Sequence, residues 1–92
     1  MLVTLDEMKL FLRLDSSEDD ATVETLIQSA QDLCLNIIRK DVTAISDDVP
    51  GLLKTAICYA VTYLYEHRDE ADFHALEQTL RHLLAPMREA KF

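Results

Sequence analysis

Few side chains in this sequence could do chemistry: Cys34 and Cys58; His67, His74 and His82; the acidic run Asp15-Ser16-Ser17-Glu18-Asp19-Asp20; and the tyrosines Tyr59, Tyr63 and Tyr65. A nucleophile needs a base beside it, and no Ser, Cys or Lys has one in a recognisable arrangement. There is no Gly-rich phosphate loop, and the single glycine, Gly51, follows Pro50. Asp15, Ser17 and Asp19 alternate as the first ligands of a calcium-binding EF-hand loop do, but Asp20 stands where the sharp turn needs Gly. Leu26 stands where the bidentate Glu belongs, so the acidic run is read as helix-capping residues. The histidines lie seven and eight residues apart and lack the paired short spacing of a zinc site, which leaves them as solvated or interface residues. Both cysteines fall inside apolar helical patterns and not in a C-x-x-C pair. Buried free thiols in a reducing compartment are therefore expected, with a disulfide as the lesser alternative. No enzyme activity, metal or cofactor is expected.

The elements carrying these residues follow from periodicity. Thr4-Leu5-Asp6-Glu7 fits a capping box, and Leu5, Met8, Phe11 and Leu12 follow at helical spacing, which predicts a short helix over 5–12. A long helix over 19–40 has Val23, Leu26, Ile27, Ala30, Leu33, Cys34, Ile37 and Ile38 on one face and Glu24, Gln28, Gln31 and Asp32 on the other. Residues 41–48 form a short acidic connection. Pro50 then opens a third helix over 50–67, where its missing N–H and fixed φ do no harm. Leu52, Leu53, Ala56, Ile57, Ala60, Val61 and Leu64 make a wide stripe there, extended nearly all round by Cys58, Tyr59 and Tyr63. So apolar a helix is either the centre of a bundle or partly an interface. Phe73, Leu76, Leu80, Leu83, Leu84 and Met87 mark a fourth helix over 73–85, which Pro86 should end or kink. The expected fold class is a small all-α domain of four helices filling residues 1–92. Its expected core comprises Leu26, Ile27, Ala30, Cys34, Ile37, Leu53, Ile57, Ala60, Val61, Leu64, Leu80 and Leu83.

Size and charge narrow the function. A chain of 92 residues buries only roughly 60–65% of its unfolded surface, so association with other copies would help it. The formal charge is −8. Residues 1–20 carry two basic and six acidic side chains, residues 21–50 two and five, and residues 51–92 five and six. Only Arg81, His82, Arg88 and Lys91 form a loose basic group, which argues against tight nucleic-acid binding. The N-terminus shows no basic segment followed by an apolar run, and no stretch approaches bilayer-spanning length. A soluble protein made in the cytoplasm, with no membrane partner, is expected.

Several segments together resemble one family. Leu12-Arg13-Leu14-Asp15, Asp19-Asp20 and Leu26-Ile27-Gln28-Ser29-Ala30 look like the opening pattern of the head–tail connector (adaptor) proteins of tailed double-stranded DNA phages and prophages. Val49-Pro50 with Leu53-Lys54 and Ile57 is similar to the start of that family's central helix. Leu64-Tyr65-Glu66-His67-Arg68-Asp69-Glu70-Ala71 is similar to its Tyr-Glu-Asn-Arg-Glu exit, and Leu83-Leu84-Ala85-Pro86-Met87-Arg88 to its closing segment. The chain departs from the pattern in having His67 where an amide is usual and Met87 where an aromatic is common. The resemblance implies a ring homo-oligomer beneath the portal protein, part of the virion at the head–tail junction. Such a ring would extend the DNA channel without binding DNA specifically and form a platform for a head-completion or tail protein.

On that reading Leu83, Leu84, Pro86, Met87, Arg88 and Phe92 are candidate portal-docking residues, with residues 86–92 as a docking tail. Tyr59, Tyr63, Tyr65, Glu66 and Arg68 are candidate subunit contacts, although tyrosines at this spacing also serve as helix-packing residues whose hydroxyls reach the surface. A different class of function, a small acidic helical regulator binding a basic protein partner, fits the charge as well.

Overall fold

The computed structural model describes residues 2–14, 17–39, 50–67 and 69–87. The acidic connection over 41–48, Arg68 and residues 88–92 lie outside the described residues. Four α-helices follow one another: α1 (Leu5–Leu12), α2 (Asp20–Ile38), α3 (Gly51–Glu66) and α4 (Phe73–Leu84), the last running into a 3-10 turn at Ala85–Met87. There is no strand among the described residues, so the fold is all-α.

Helix α1 begins as its sequence dictates. The Thr4 hydroxyl accepts the Glu7 N–H at 3.1 Å, and the Glu7 carboxylate accepts the Thr4 N–H at 3.1 Å, the two halves of a capping box. With one glycine in the chain, the helices find another way to stop. Arg13 and Arg39 close α1 and α2 in the left-handed region, at φ 59° and 58°. A side chain in that region costs roughly 1–2 kcal/mol. At Arg13 the turn recovers part of this by satisfying carbonyls: the Arg13 N–H reaches Leu10 O at 3.2 Å and the Leu14 N–H reaches Lys9 O at 2.9 Å. A cation at the negative end of a helix also offsets the strain. Pro50 sits at the N-cap of α3 with φ −55°, one residue before the helix proper, and the Lys54 N–H bonds back to its carbonyl at 3.1 Å.

The core is one continuous cluster drawn from every helix: Met8 of α1; Val23, Ile27, Ala30, Cys34, Leu35, Ile37 and Ile38 of α2; Leu53, Ala56, Ile57, Ala60, Val61 and Leu64 of α3; Leu76, Leu80 and Leu84 of α4. α3 touches each of the other three helices. Tyr65 at the end of α3 lies beside Asp19 at the start of α2, so the two long helices run antiparallel.

Three expectations about the core are corrected. Leu26 and Leu83 are half-buried at its margin. On α4 the fully buried row is Leu76, Leu80 and Leu84, a strict i, i+4 ladder. Gln31, expected on the polar face of α2, is only 5% exposed. Its Oε1 accepts the backbone N–H of Leu2 at 2.6 Å and so holds the N-terminal segment, including the buried Val3, against the bundle.

Two outcomes follow. Ile57 is wholly enclosed, so Ile57→Ala should destabilise the domain by about 2–5 kcal/mol in chemical denaturation; a loss under about 1 kcal/mol would mean that α3 is not the packed centre. The Lys54 ammonium, 2.8 Å from Glu7 Oε2, and next the Thr4 N–H hold the Glu7 carboxyl below the usual carboxylate range. A carboxyl depressed in the folded state stabilises above its ordinary pKa, and this is lost as pH falls through the folded value. Glu7→Gln, which keeps the capping amide, should therefore melt below the parent at pH 7 and converge with it as the pH falls below the folded-state value.

Candidate functional site

Of the residues singled out on the sequence, Tyr63, Tyr65, Glu66 and His67 gather where α3 ends and α4 begins. α3 stops because its apolar stripe ends at Leu64, and the Glu66–Asp72 segment is polar and charged. Asp72 restarts the chain: its carboxylate caps α4 by accepting the Ala75 N–H at 3.0 Å. Two tyrosines fasten this corner. The Tyr63 hydroxyl accepts the Asp72 N–H at 3.0 Å, tying the exit of α3 to the cap of α4. The Tyr63 ring stacks on the His67 ring with centroids 4.4 Å apart, and His67 Nδ1 lies 2.9 Å from the Tyr63 carbonyl oxygen.

Tyr65 points the other way. Its hydroxyl donates to the Asp19 carboxylate at 2.6 Å, across 46 residues of sequence. Asp19 is the N-cap residue of α2, yet its side chain makes no capping hydrogen bond there. The acidic run therefore does not cap α2 through Asp19 as its composition suggests; that carboxylate is spent on Tyr65. The neighbouring Asp20 pairs with Lys9 of α1 at 3.0 Å. The starts of α2, the end of α1 and the end of α3 are thus joined at one pole of the bundle by two polar contacts.

Of the candidate subunit contacts, Tyr63 and Tyr65 are half-buried and have these internal tasks, whereas Tyr59 is 41% exposed and Glu66 is exposed. Tyr65, Glu66, His67, Asp69 and Glu70 line an open depression of about 550 Å³ at the corner. Three of those five residues are carboxylates. The portal-docking candidates are divided as well. Leu84 is fully buried in the bundle, Leu83 and Met87 are half-buried against the core, and Pro86 is exposed in the 3-10 turn. The turn around Pro86 thus stands at the surface on a base anchored by Leu84.

Both thiols are shifted toward the protonated form. Burial pushes Cys34 up to about 12, and burial, reinforced by the Glu7 carboxylate and opposed by Lys54, raises Cys58. A thiol held protonated is a poor nucleophile and a poor metal ligand. Both cysteines are free. Among the described residues no group of three or more His, Cys, Asp or Glu side chains is placed to hold a metal ion, and no helix is long and apolar enough to cross a membrane. Sequence reasoning missed three surface residues, Leu10, Phe11 and Phe73, which are 81%, 56% and 62% exposed. Phe11 and Phe73 follow the apolar helical spacing of α1 and α4, and only the register between helices shows that they stand outward.

Compared with known proteins, residues 2–81 match the model of the phage gp6-like head-tail connector proteins, and the chain belongs to that family. It is a family of structural phage proteins of the head–tail junction, not a family of enzymes. No curated protein and no solved structure matches the chain.

The tyrosine hydroxyls should rank by their work. Tyr65→Phe leaves the half-buried Asp19 carboxylate without that donor and should cost about 1–2 kcal/mol, while Tyr63→Phe should cost less and Tyr59→Phe nothing measurable in urea unfolding. Equal losses at all three positions would remove the distinction between structural and open tyrosines.

Proposed function

We propose that this connector protein works as a closed ring of identical subunits seated beneath the portal, lengthening the DNA channel and presenting a platform to a head-completion or tail protein. The observation that carries the proposal is the family match over residues 2–81. Two physical features support it. A ring needs heterologous contacts, one patch meeting a different patch on the next copy, and this domain keeps large apolar side chains exposed on α1, α3 and α4 after its own core is filled. The net charge of −8, repeated around a ring, repels the DNA backbone, so a duplex passes without being held. DNA is thus cargo of the channel and not a ligand.

The closing segment is proposed as the portal contact. Leu84 fixes the end of α4 in the bundle, and Leu83, Pro86 and Met87 follow at or near the surface. Arg88 and Phe92 continue this segment with a positive charge and an aromatic ring. The family match ends at residue 81, so portal docking at residues 83–92 rests on chemistry: apolar anchors beside a local positive charge in an otherwise acidic chain.

Deletion of residues 86–92 tests this. Among the described residues the fully buried core all precedes Pro86, so the truncated chain should keep its helical circular-dichroism spectrum, with a modest loss of melting temperature from the half-buried Met87. It should no longer join portal-containing capsids in a sedimentation assay. Normal incorporation of the truncated chain would assign the portal contact to another surface.

A further inference from the structure

Leu10 and Phe11 lie side by side on the outward face of α1, 81% and 56% exposed, while Met8 of the same helix is fully buried. The capping box and Met8 already secure α1, and most of the surface of the outward pair is left unused by the fold. Next to the pair stands Arg13, exposed and in the left-handed turn that closes the helix. Lys9 is engaged with Asp20, and among the described residues Arg13 has no ion-pair partner. The result is an apolar knob with one uncommitted cation at its edge.

The α3–α4 corner has the opposite character. Glu66, Asp69 and Glu70 surround the open depression of about 550 Å³, and none of the three is in an ion pair among the described residues. Tyr65 supplies an aromatic wall. Knob and corner lie at the same pole of the bundle, because Lys9 reaches Asp20 while the adjacent Asp19 takes the Tyr65 hydroxyl. A rotation leaves height along its axis unchanged, so the two halves of a ring contact must share a level. Patches at one pole meet that condition for an axis running along the bundle.

We propose that the Leu10–Phe11–Arg13 knob of one copy seats on the acidic α3–α4 corner of the next, with Phe11 in the depression and Arg13 facing Glu66, Asp69 and Glu70. The occupant is a second copy of this chain because charge complementarity selects it: the corner attracts a cation-edged apolar knob and repels nucleic-acid phosphates. This inference rests on the ring reading above and names its contact. It gives Glu66 a role in the subunit boundary and leaves Tyr63 and Tyr65 to shape the corner from within.

A charge exchange in the full-length chain tests it. The concentration for half-assembly is measured by native mass spectrometry, with and without portal, for the parent, Arg13→Glu, Glu70→Arg, Phe11→Asp and the double variant Arg13→Glu/Glu70→Arg. All substituted residues are exposed, so circular dichroism should match the parent in each case, and Arg13→Glu, which puts an anion at the end of α1, should lower the melting temperature without unfolding the domain at the assay temperature. Each single reversal should raise the half-assembly concentration by about tenfold or more, Phe11→Asp should abolish assembly, and the double variant should recover most of the parent's affinity. If the parent forms rings but the single reversals leave them intact, or the double variant is no better than the singles, the contact is wrong and the ring reading stands. A parent that remains monomeric with and without portal overturns both. If a two-fold dimer is the largest species, the ring reading falls and recovery in the double variant alone decides the contact.

Discussion

Everything in this domain is arranged around the need to cover α3. A sixteen-residue helix with six buried apolar side chains and more at its margins must have most of its circumference covered. α2 takes the broadest part of that surface, α4 a second side and α1 a third, so the chain's other helices are in effect the lining of one helix. This explains why α1 exists although eight residues are too few to hold a helix in water. It is kept by the capping box at its start and by Met8, which is completely enclosed.

Covering α3 leaves the polar ends to be settled, and here the structure uses side chains in place of special backbone. The Gln31 amide oxygen receives Leu2, Asp19 receives Tyr65, Lys54 reaches Glu7, and Tyr63 receives Asp72. Among the described residues no buried side-chain nitrogen or oxygen is left without a partner. Each tie links segments that hydrophobic packing alone would let slide, so register is set at the rim of the core and volume at its centre. The same economy leaves Leu10, Phe11 and Tyr59 outside the core, and those are the residues from which contacts between copies can be built.

Much of this was legible in the residues. The span of α1, the capping box, the four-helix order and the central place of α3 all follow from local spacing, which reports on one helix at a time. What was not legible depends on how helices sit against one another. Gln31 reads as a polar-face residue until the extended segment before α1 is laid across it. Asp19 reads as a cap until Tyr65, 46 residues away, is brought beside it. Leu83 and Leu84 are equivalent in composition, and only the angle of α4 on α3 decides that Leu84 goes in. The candidate interface was legible as a neighbourhood and not as a set of exposed side chains: Tyr59 and Glu66 are open, but Tyr63 and Tyr65 are tied down, and the knob on α1 carried no sequence signal beyond an ordinary amphipathic pattern.

The long reach of the polar ties bears on the order in which the chain can be completed. The partners of the N-terminal segment and α1 lie far downstream, Gln31 at a separation of 29 residues and Lys54 at 47, while Asp19 waits for Tyr65 across 46. Of the four helices α1 is made first, and only its capping box is then complete. The first of the four helices is therefore fully tied down only after its partners at these distances have been brought back to it, and each such return costs loop-closure entropy. During that interval the apolar side of α1 and the bare flank of α3 are exposed together, which makes the unfinished chain stickier than either the nascent N-terminus or the finished domain.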